Sequence, residues 1–491
     1  MKVRTRYAPS PTGFFHIGGA RTALMNYLYA KHFGGDFIVR IEDTDLGRHI
    51  EAGINSQLNG IKWLGFFPDE SLVNPGKYGP YRQTEKLQEY QAIAQKLLDA
   101  KLAYYCFCTK EELNEMRDYA IKHNLPPKYN RKCLELSAKE IAENLKNNKE
   151  YVIRLKMPDN VNIEWNDLIR GKMSVPTSAL TDPVLIRSNG LPLYNFAVVI
   201  DDCYMQISHV FRGEEHLSNT PYQIAIKNAI DQLKIKAYQN NTIQYGHLSI
   251  IVDASGKKLS KRDTTLKQFI EDYQKMGYVP EAVTNFISLL SWSPPDNQEI
   301  KSLKTTIEQF DGTRISPSPA FFDVKKMNWV SGEYIKKMTD SDYLKFVKPF
   351  VDKKFNQLGN QLDLALLTFK LQISYAEELN GLIDQLFFQY DFNNLNSEIK
   401  QFIKSDVFKK NIDAFLNVLN SIDEITLENT SNIVNQIKIT TGLKGKDLFM
   451  PIRLIAVAKE HGPEMNKILT VVGKKQVVER IKNFPKIIKI L

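Results

Sequence analysis

The sequence predicts an α/β catalytic half, built on a Rossmann-like parallel sheet with an insertion, followed by an all-α C-terminal half. Three observations carry this. Strand and helix signals alternate over the first 100 residues, the rhythm of a parallel sheet with crossover helices. The alternation breaks at 103–190, where most of the cysteines and several short β-like runs collect, and strand-like text resumes at 195. Beyond Trp329 strand signals fade and apolar residues recur at helical spacing, as in Leu362, Leu364, Leu366, Leu367, Phe369 and Leu371.

In chain order, residues 3–8 form an extended run stopped by Pro9 and Pro11, whose fixed φ restricts the exit. Ile17, Ala20, Leu24, Tyr27 and Leu28 then fall on one helical face, and Gly34-Gly35 ends that helix. A second strand, FIVRI at 37–41, runs into the acidic cluster Glu42, Asp43 and Asp45. Helical patterns return at 49–64 and 84–102. The stretch 103–190 reads as an insertion, with a Pro-Pro pair at 126–127 and the β-like run YVIRLKM at 151–157. NFAVVIDD at 195–202 reads as a strand returning to the sheet, and a helix opens after Gly213 and runs past Pro221. The expected divisions are 1–102 and 191–250 as two halves of one sheet, 103–190 between them, a mixed 251–325, and a helical 326–491 in one or two bundles.

A chain of 491 residues is too long for one small domain, and 43% apolar with 25% charged residues is ordinary for a globular protein. No apolar run approaches the roughly 20 residues that cross a bilayer. The N-terminus has no apolar core of a secretory signal. Three of the four cysteines fall within 28 residues, which suggests a metal site in a reducing compartment over a disulfide framework. A cytoplasmic protein with no membrane partner is expected. The net charge of +9 permits a polyanionic partner. Residues 441–491 hold eleven Lys and Arg against four acids, an electrostatic footprint suited to RNA, although a solvated helical face would carry the same charge.

Two segments could handle phosphate. In PSPTGFFHIGGARTAL (9–24), Gly13, Gly18 and Gly19 permit close backbone approach, and His16 stands where a helix begins, offering N–H groups and a positive dipole end. The segment fits neither the dinucleotide fingerprint nor the P-loop. In GKKLSKRD (256–263), Lys258, Lys261 and Arg262 lie on a flexible loop and could meet charge that develops on a phosphate. Separately, Cys106-x-Cys108 and Cys133 are three thiolates suited to a structural Zn²⁺, which takes four N or S ligands. Cys203 reads as a buried core residue.

His16-Ile17-Gly18-Gly19 and Lys258-Leu259-Ser260-Lys261-Arg262 resemble the "HIGH" and "KMSKS" signatures of class I aminoacyl-tRNA synthetases. The longer blocks RYAPSPTGFFHIGGARTAL, FIVRIEDTD, YNFAVVIDD, VFRGEEH and GLKGKDLFMPIRLIAVAKEHGPEM are similar, in order and spacing, to bacterial glutamyl-tRNA synthetases over essentially the whole chain. One departure is Gly19, where the class signature has a second histidine.

The resemblance implies that L-glutamate is activated by ATP with Mg²⁺ and transferred to tRNA(Glu), with tRNA(Gln) as a second candidate. It also implies that activation needs bound tRNA. His16, Lys258 and Lys261 would be catalytic. Gly13, His16, Gly18, Gly19, Lys258, Leu259, Ser260 and Lys261 would bind ATP. Arg6, Ala8, Ser10, Glu42, Tyr194, Val198 and Arg212 would line the glutamate pocket. Arg6 and Arg212 would face the side-chain carboxylate and Glu42 the α-ammonium; Val198 stands where some relatives have asparagine. The insertion would touch the tRNA acceptor end, 251–325 the stem, and 326–491 the anticodon. For the metal, Cys106, Cys108 and Cys133 would be joined by Tyr129, as in the related glutamyl-queuosine enzymes, or by Glu135. A monomer is expected. Glutaminyl-tRNA synthetases resemble the chain less, because their anticodon region is β-barrel in character.

Overall fold

The computed structural model describes residues 2–11, 13–44, 51–126, 128–239, 243–259, 267–388, 390–392 and 395–488. The chain forms two compact units, Met1–Tyr273 with Val283–Val324, and Gln274–Ala282 with Lys325–Leu491.

The first unit opens with β1 (Arg4–Tyr7), α1 (Ile17–His32) and β2 (Asp36–Val39). The two strands pair in parallel from Arg4↔Asp36 to Tyr7↔Val39, with α1 as the crossover. Ala20, Ala23, Leu24 and Leu28 bury one face of α1, and Gly34 turns the chain at φ +64°, which an L side chain resists. Next come α2 (Glu51–Trp63) and α3 (Leu87–Asp99), then β3 (Ala103–Cys106), α4 (Lys110–Lys122), α5 (Ala138–Lys146), β4 (Val152–Leu155), β5 (Asn162–Asp167), β6 (Gly171–Pro176) and β7 (Val184–Ile186). The chain continues through α6 (Tyr194–Tyr204), β8 (His209–Gly213), α7 (Thr220–Gln232), β9 (Gln244–Leu248) and β10 (Ile251–Val252).

The main sheet has the order β2-β1-β8-β9, with all described pairings parallel. Its strands come from both sides of a segment that forms its own antiparallel sheet, β3-β4-β7, and the hairpin β5-β6. The carboxyl ends of β1 and β8 are therefore neighbours, the edge where open α/β sheets bind ligands.

The segment 195–202 corrects the sequence reading. NFAVVIDD is helix, inside α6, not strand. Every residue from Phe196 to Cys203 is buried, so no polar face marks the helical period, and an apolar run buried on all sides looks like a central strand. The returning strand is β8, and Arg212 lies within it. The turn after Gly213 is a 3₁₀ segment, Glu214–Asn219, before α7 begins.

The second unit contains helices only among its described residues: α8 (Ile270–Met276) and α9 (Pro280–Leu289) enter it in part, and after α10 (Leu303–Gln309) of the first unit come α11 (Val324–Lys337), α12 (Asp340–Val347), α13 (Asn360–Phe369), α14 (Glu378–Phe387), α15 (Ser397–Ile403), α16 (Asp406–Asn420), α17 (Thr430–Thr441), α18 (Lys446–Val457) and α19 (Met465–Ile488). Thr339, Asn396 and Ser405 cap α12, α15 and α16 by accepting backbone N–H groups of their first turns. Phe408, Ile412, Phe415 and Leu419 give α16 its buried stripe. Arg480 is buried, stacks 4.4 Å from the Tyr390 ring centre, and donates to the carbonyls of Leu386 and Ala456 at the ends of α14 and α18. This cation holds the bundle together and is not part of a surface footprint. Among the described residues no helix is long and apolar enough to cross a membrane.

Candidate functional site

A cavity of about 460 Å³ opens at the carboxyl edge of the sheet. Arg6, Ala8, Ser10 and Gly13 line it from β1 and the turn that follows; His16, Gly18 and Gly19 line it from the start of α1. Glu42, Tyr194, Arg212, Lys258 and Leu259 close it from four other segments. Ser260, Lys261 and Arg262 lie outside the described residues, as does Asp45 of the acidic cluster. Val198 does not line the cavity: it sits one turn along α6 from Tyr194, fully buried in the apolar core.

His16 is the N-cap of α1, and its Nδ1 accepts the backbone N–H of Gly19 at 3.2 Å. The neutral ring therefore carries its proton on Nε2. No acid lies in the first turn of α1, so the positive end of the helix is not offset there. The geometry also explains Gly19. A Cβ at this position would meet Tyr7 Oη at 2.7 Å, and that hydroxyl is held by Gln57 at 2.8 Å. A second histidine has no room.

The segment after 260–266 bonds to this turn, and the segment before it lines the same cavity. Leu259 N–H donates to the Ile251 carbonyl at 3.0 Å, and Gly256 turns the preceding loop at φ +77°. On the far side, Ile17 N–H donates to Gln268 and Ile270 N–H to Phe15, both at 2.9 Å. Lys258 and Leu259 thus share one cavity with His16 and Gln268.

Arg6 and Glu42, also in the lining, belong to a buried ionic network. Arg6 Nε reaches Asp202 at 3.2 Å. Arg40 meets Asp202 at 2.8 Å and Glu42 at 3.0 Å. Asp201 accepts from Lys86 Nζ and Gln83 at 2.8 Å each and from Tyr90 at 3.0 Å. Burial opposes ionisation of Asp202, but Arg6 and Arg40 outweigh it and hold its carboxyl below the usual range. For Glu42, burial wins over Arg40 and Arg6, and its carboxyl is pushed up. Burial brings His216, which contacts Tyr194 Oη at 3.2 Å, down to about 4, so that ring is neutral near pH 7.

Arg212 differs from Arg6. Its hydrogen-bond partners are neutral: His247 at 3.2 Å, Gln223 at 2.7 Å and Thr220 at 2.7 Å. Arg212 is 4% exposed and lines the cavity, so a buried positive charge faces the space with no ion pair to a carboxylate among the described residues. A ligand carboxylate would supply that partner. Sequence reading missed Arg40, Asp201, Asp202, Gln57, Asp167 and His247. The signal for two of them was present: adjacent acids ending the apolar run VVIDD must be paired if the run is buried.

A second cluster lies in the 103–190 segment. Cys106 ends β3, Cys108 precedes α4, and Cys133 sits in the 3₁₀ turn Lys132–Glu135. Their sulfurs lie within 4.8 Å of one another. Tyr129 Oη is 3.7 Å from Cys108 Sγ and accepts the Cys133 N–H at 2.9 Å. Glu135 is exposed and lies outside the cluster. A hydrogen bond from Cys133 pulls the Cys106 thiol down to about 4, while the Cys133 thiol itself is pushed up. Three sulfurs and a phenol at this spacing fit a tetrahedral divalent cation.

The chain belongs to the class I tRNA synthetases: residues 2–329 match the family described as tRNA synthetases class I (E and Q), catalytic domain, and 332–485 match the anticodon binding domain family. Among individual proteins, it is 52% identical to the glutamate–tRNA ligase of Malacoplasma penetrans over 98% of each chain, and 46% identical to that of Mycoplasma genitalium over 98% of each. A crystal structure of a glutamate tRNA ligase from Elizabethkingia meningosepticum in complex with its amino acid is 32% identical, with a TM-score of 0.87 over 99% of both chains.

Proposed function

We propose that the chain is a glutamate–tRNA ligase acting in the cytoplasm as a monomer. The observation that carries the reading is one cavity lined both by His16 and Lys258, residue types suited to phosphate, and by the Arg212 guanidinium, whose hydrogen-bond partners among the described residues are neutral. An α-carboxylate oxygen of glutamate attacks the α-phosphorus of ATP, the bond to the bridging oxygen breaks, and pyrophosphate leaves. The terminal adenosine hydroxyl of tRNA then attacks the acyl carbon, loses its proton, and AMP departs. No protein nucleophile is needed; catalysis comes from placement and from cations aimed at growing charge. His16 Nε2–H, Lys258 and Lys261 stabilise phosphate oxygens, with Gly13, Gly18, Gly19, Leu259 and Ser260 shaping the ATP site and Mg²⁺ bound chiefly by phosphate and water. Arg212 and Arg6 hold the substrate side chain, Glu42 the ammonium, and Ala8, Ser10 and Tyr194 the walls.

Residues 326–491 read the anticodon, 103–190 the acceptor end and 251–325 the stem. tRNA(Gln) is a second acceptor to be tested beside tRNA(Glu). A neutral amide in place of the side-chain carboxylate would leave Arg212 unpaired, which favours glutamate over glutamine.

ATP–pyrophosphate exchange tests the reading. Glutamate-dependent exchange, stimulated by tRNA and absent with glutamine or aspartate, is the expected result; exchange with glutamine alone, or none, contradicts it. Glu42 adds a pH signature. It must be ionised to hold an ammonium, and burial raises its pKa, so the KM for glutamate should climb with falling pH, beginning above the ordinary carboxylate range. Glu42→Gln should weaken glutamate binding at all pH values and flatten that limb. A wild-type profile level through the acid range would remove Glu42 from the ammonium site.

Cys106, Cys108, Cys133 and Tyr129 would hold a structural Zn²⁺, which clamps the segment without taking part in the reaction. Metal analysis should find one equivalent in the wild-type protein, none in Cys133→Ser, and a weaker hold in Tyr129→Phe. Full retention in Cys133→Ser would place the metal elsewhere.

A further inference from the structure

Arg212 is anchored by residues far from it in sequence. Its Nε donates to His247 Nε2 at 3.2 Å, and His247 Nδ1 lies 2.5 Å from Asp167 Oδ2. The side chains of His247 and Asp167 are both fully buried. His247 belongs to β9 of the parallel sheet, whereas Asp167 closes β5, the first strand of the inserted hairpin. Asp167 Oδ1 accepts the backbone N–H groups of His247 at 3.2 Å and of Ile169 and Arg170 at 3.1 Å, so the carboxylate cannot turn away. The hairpin turn is joined to the same strand by Leu168 N–H on the Tyr245 carbonyl at 2.8 Å and by Arg170 Nε on the His247 carbonyl at 3.3 Å.

An ionised carboxylate only accepts, so His247 carries its proton on Nδ1 and keeps a lone pair on Nε2. That lone pair receives Arg212 Nε–H, with the Thr220 hydroxyl also 3.0 Å away. Burial, helped by the Arg212 cation, lowers the pKa of the ring although Asp167 opposes this. The consequence is electrostatic. Arg6 is held by a carboxylate directly, one that it shares with Arg40. Arg212 is held through an imidazole, which fixes the guanidinium without placing an anion upon it.

We propose that Asp167 and His247 are positioning residues for Arg212, fixing the rotation of its guanidinium while leaving its charge to the substrate carboxylate. The inference rests on the glutamate reading of Arg212 given above. It also makes the inserted hairpin a physical support of the amino-acid pocket.

The test is exchange kinetics on the full-length protein with His247→Gln, His247→Leu and Asp167→Asn, each checked by circular dichroism and melting. Glutamine can accept from Arg212 and donate to Asp167; leucine can do neither. His247→Leu should raise the KM for glutamate about tenfold, the value of one charge-assisted hydrogen bond, and leave the KM for ATP within about twofold. His247→Gln should return to within about threefold of wild type, since both hydrogen bonds can re-form. Asp167→Asn should raise the KM for glutamate selectively, because an amide can donate to Nδ1 and move the ring proton to Nε2. An unchanged KM for glutamate, equal losses toward both substrates, or a glutamine variant no better than leucine would overturn the proposal. If His247→Leu fails to fold, Asp167→Asn decides alone. Wild-type protein is the control: no glutamate-dependent exchange there defeats the reading of the pocket, whereas normal wild-type exchange with unaltered variants defeats only this inference.

Discussion

Arg212→Ala is expected to lower kcat/KM for glutamate in pyrophosphate exchange by about two to three orders of magnitude while the KM for ATP stays within about threefold. The magnitude follows from the environment. The guanidinium is buried, its hydrogen-bond partners among the described residues are neutral, and a substrate carboxylate would supply an anionic one. Removing one side of a desolvated charge pair costs about 2–5 kcal/mol, because the other side is left buried without a partner. Here the stranded group is the ligand, so the loss appears in glutamate binding and activation, not in folding. His16 and Lys258 make no hydrogen bond to Arg212 among the described contacts, so their surroundings are kept. Comparable losses toward ATP and glutamate would mean that Arg212 supports the whole cavity and does not select the amino acid.

Asp202→Ala is expected to act in the opposite way, on stability first. Asp202 is the shared acceptor of Arg6 and Arg40, all three nearly inaccessible. Deleting it leaves two buried cations with one carboxylate fewer, a change that costs about 3–5 kcal/mol in such settings. The melting temperature of the first unit should fall by about 6 °C or more. The pH dependence has a definite sign. The folded pKa is lowered, so the contribution of Asp202 is complete above its unfolded value near pH 4 and is lost as pH falls through the folded value. The wild type should therefore lose stability in acid more steeply than Asp202→Asn. Thermal scans of both proteins between pH 7 and pH 3 check this; parallel curves would show that the network is dispensable.

The parts of this molecule that were legible in the sequence are those with local grammar. β1, α1 and β2 announce themselves through prolines, a helical apolar stripe and a glycine stop, and all three occupy the expected stretches. The cavity residues of the first turn and of 258–259 were recognisable by motif, and they line one space. α6 was illegible because burial on all sides erases the amphipathic period. The anchoring shell was illegible for another reason. Asp167 and His247 are 80 residues apart and Arg6 and Asp202 are 196 apart, so only the folded sheet brings them together. Gly19 lies between these cases: the departure from the class signature was visible, but its cause, the Tyr7 hydroxyl held by Gln57, was not.

The most direct measurement of the central claim is a crystal structure with a non-hydrolysable glutamyl-adenylate analogue. The account predicts the side-chain carboxylate against Arg212 and Arg6, the ammonium at Glu42, and the phosphate mimic beside His16 at the start of α1. An analogue that bound in this cavity with its carboxylate away from both arginines, or that occupied another site, would contradict it.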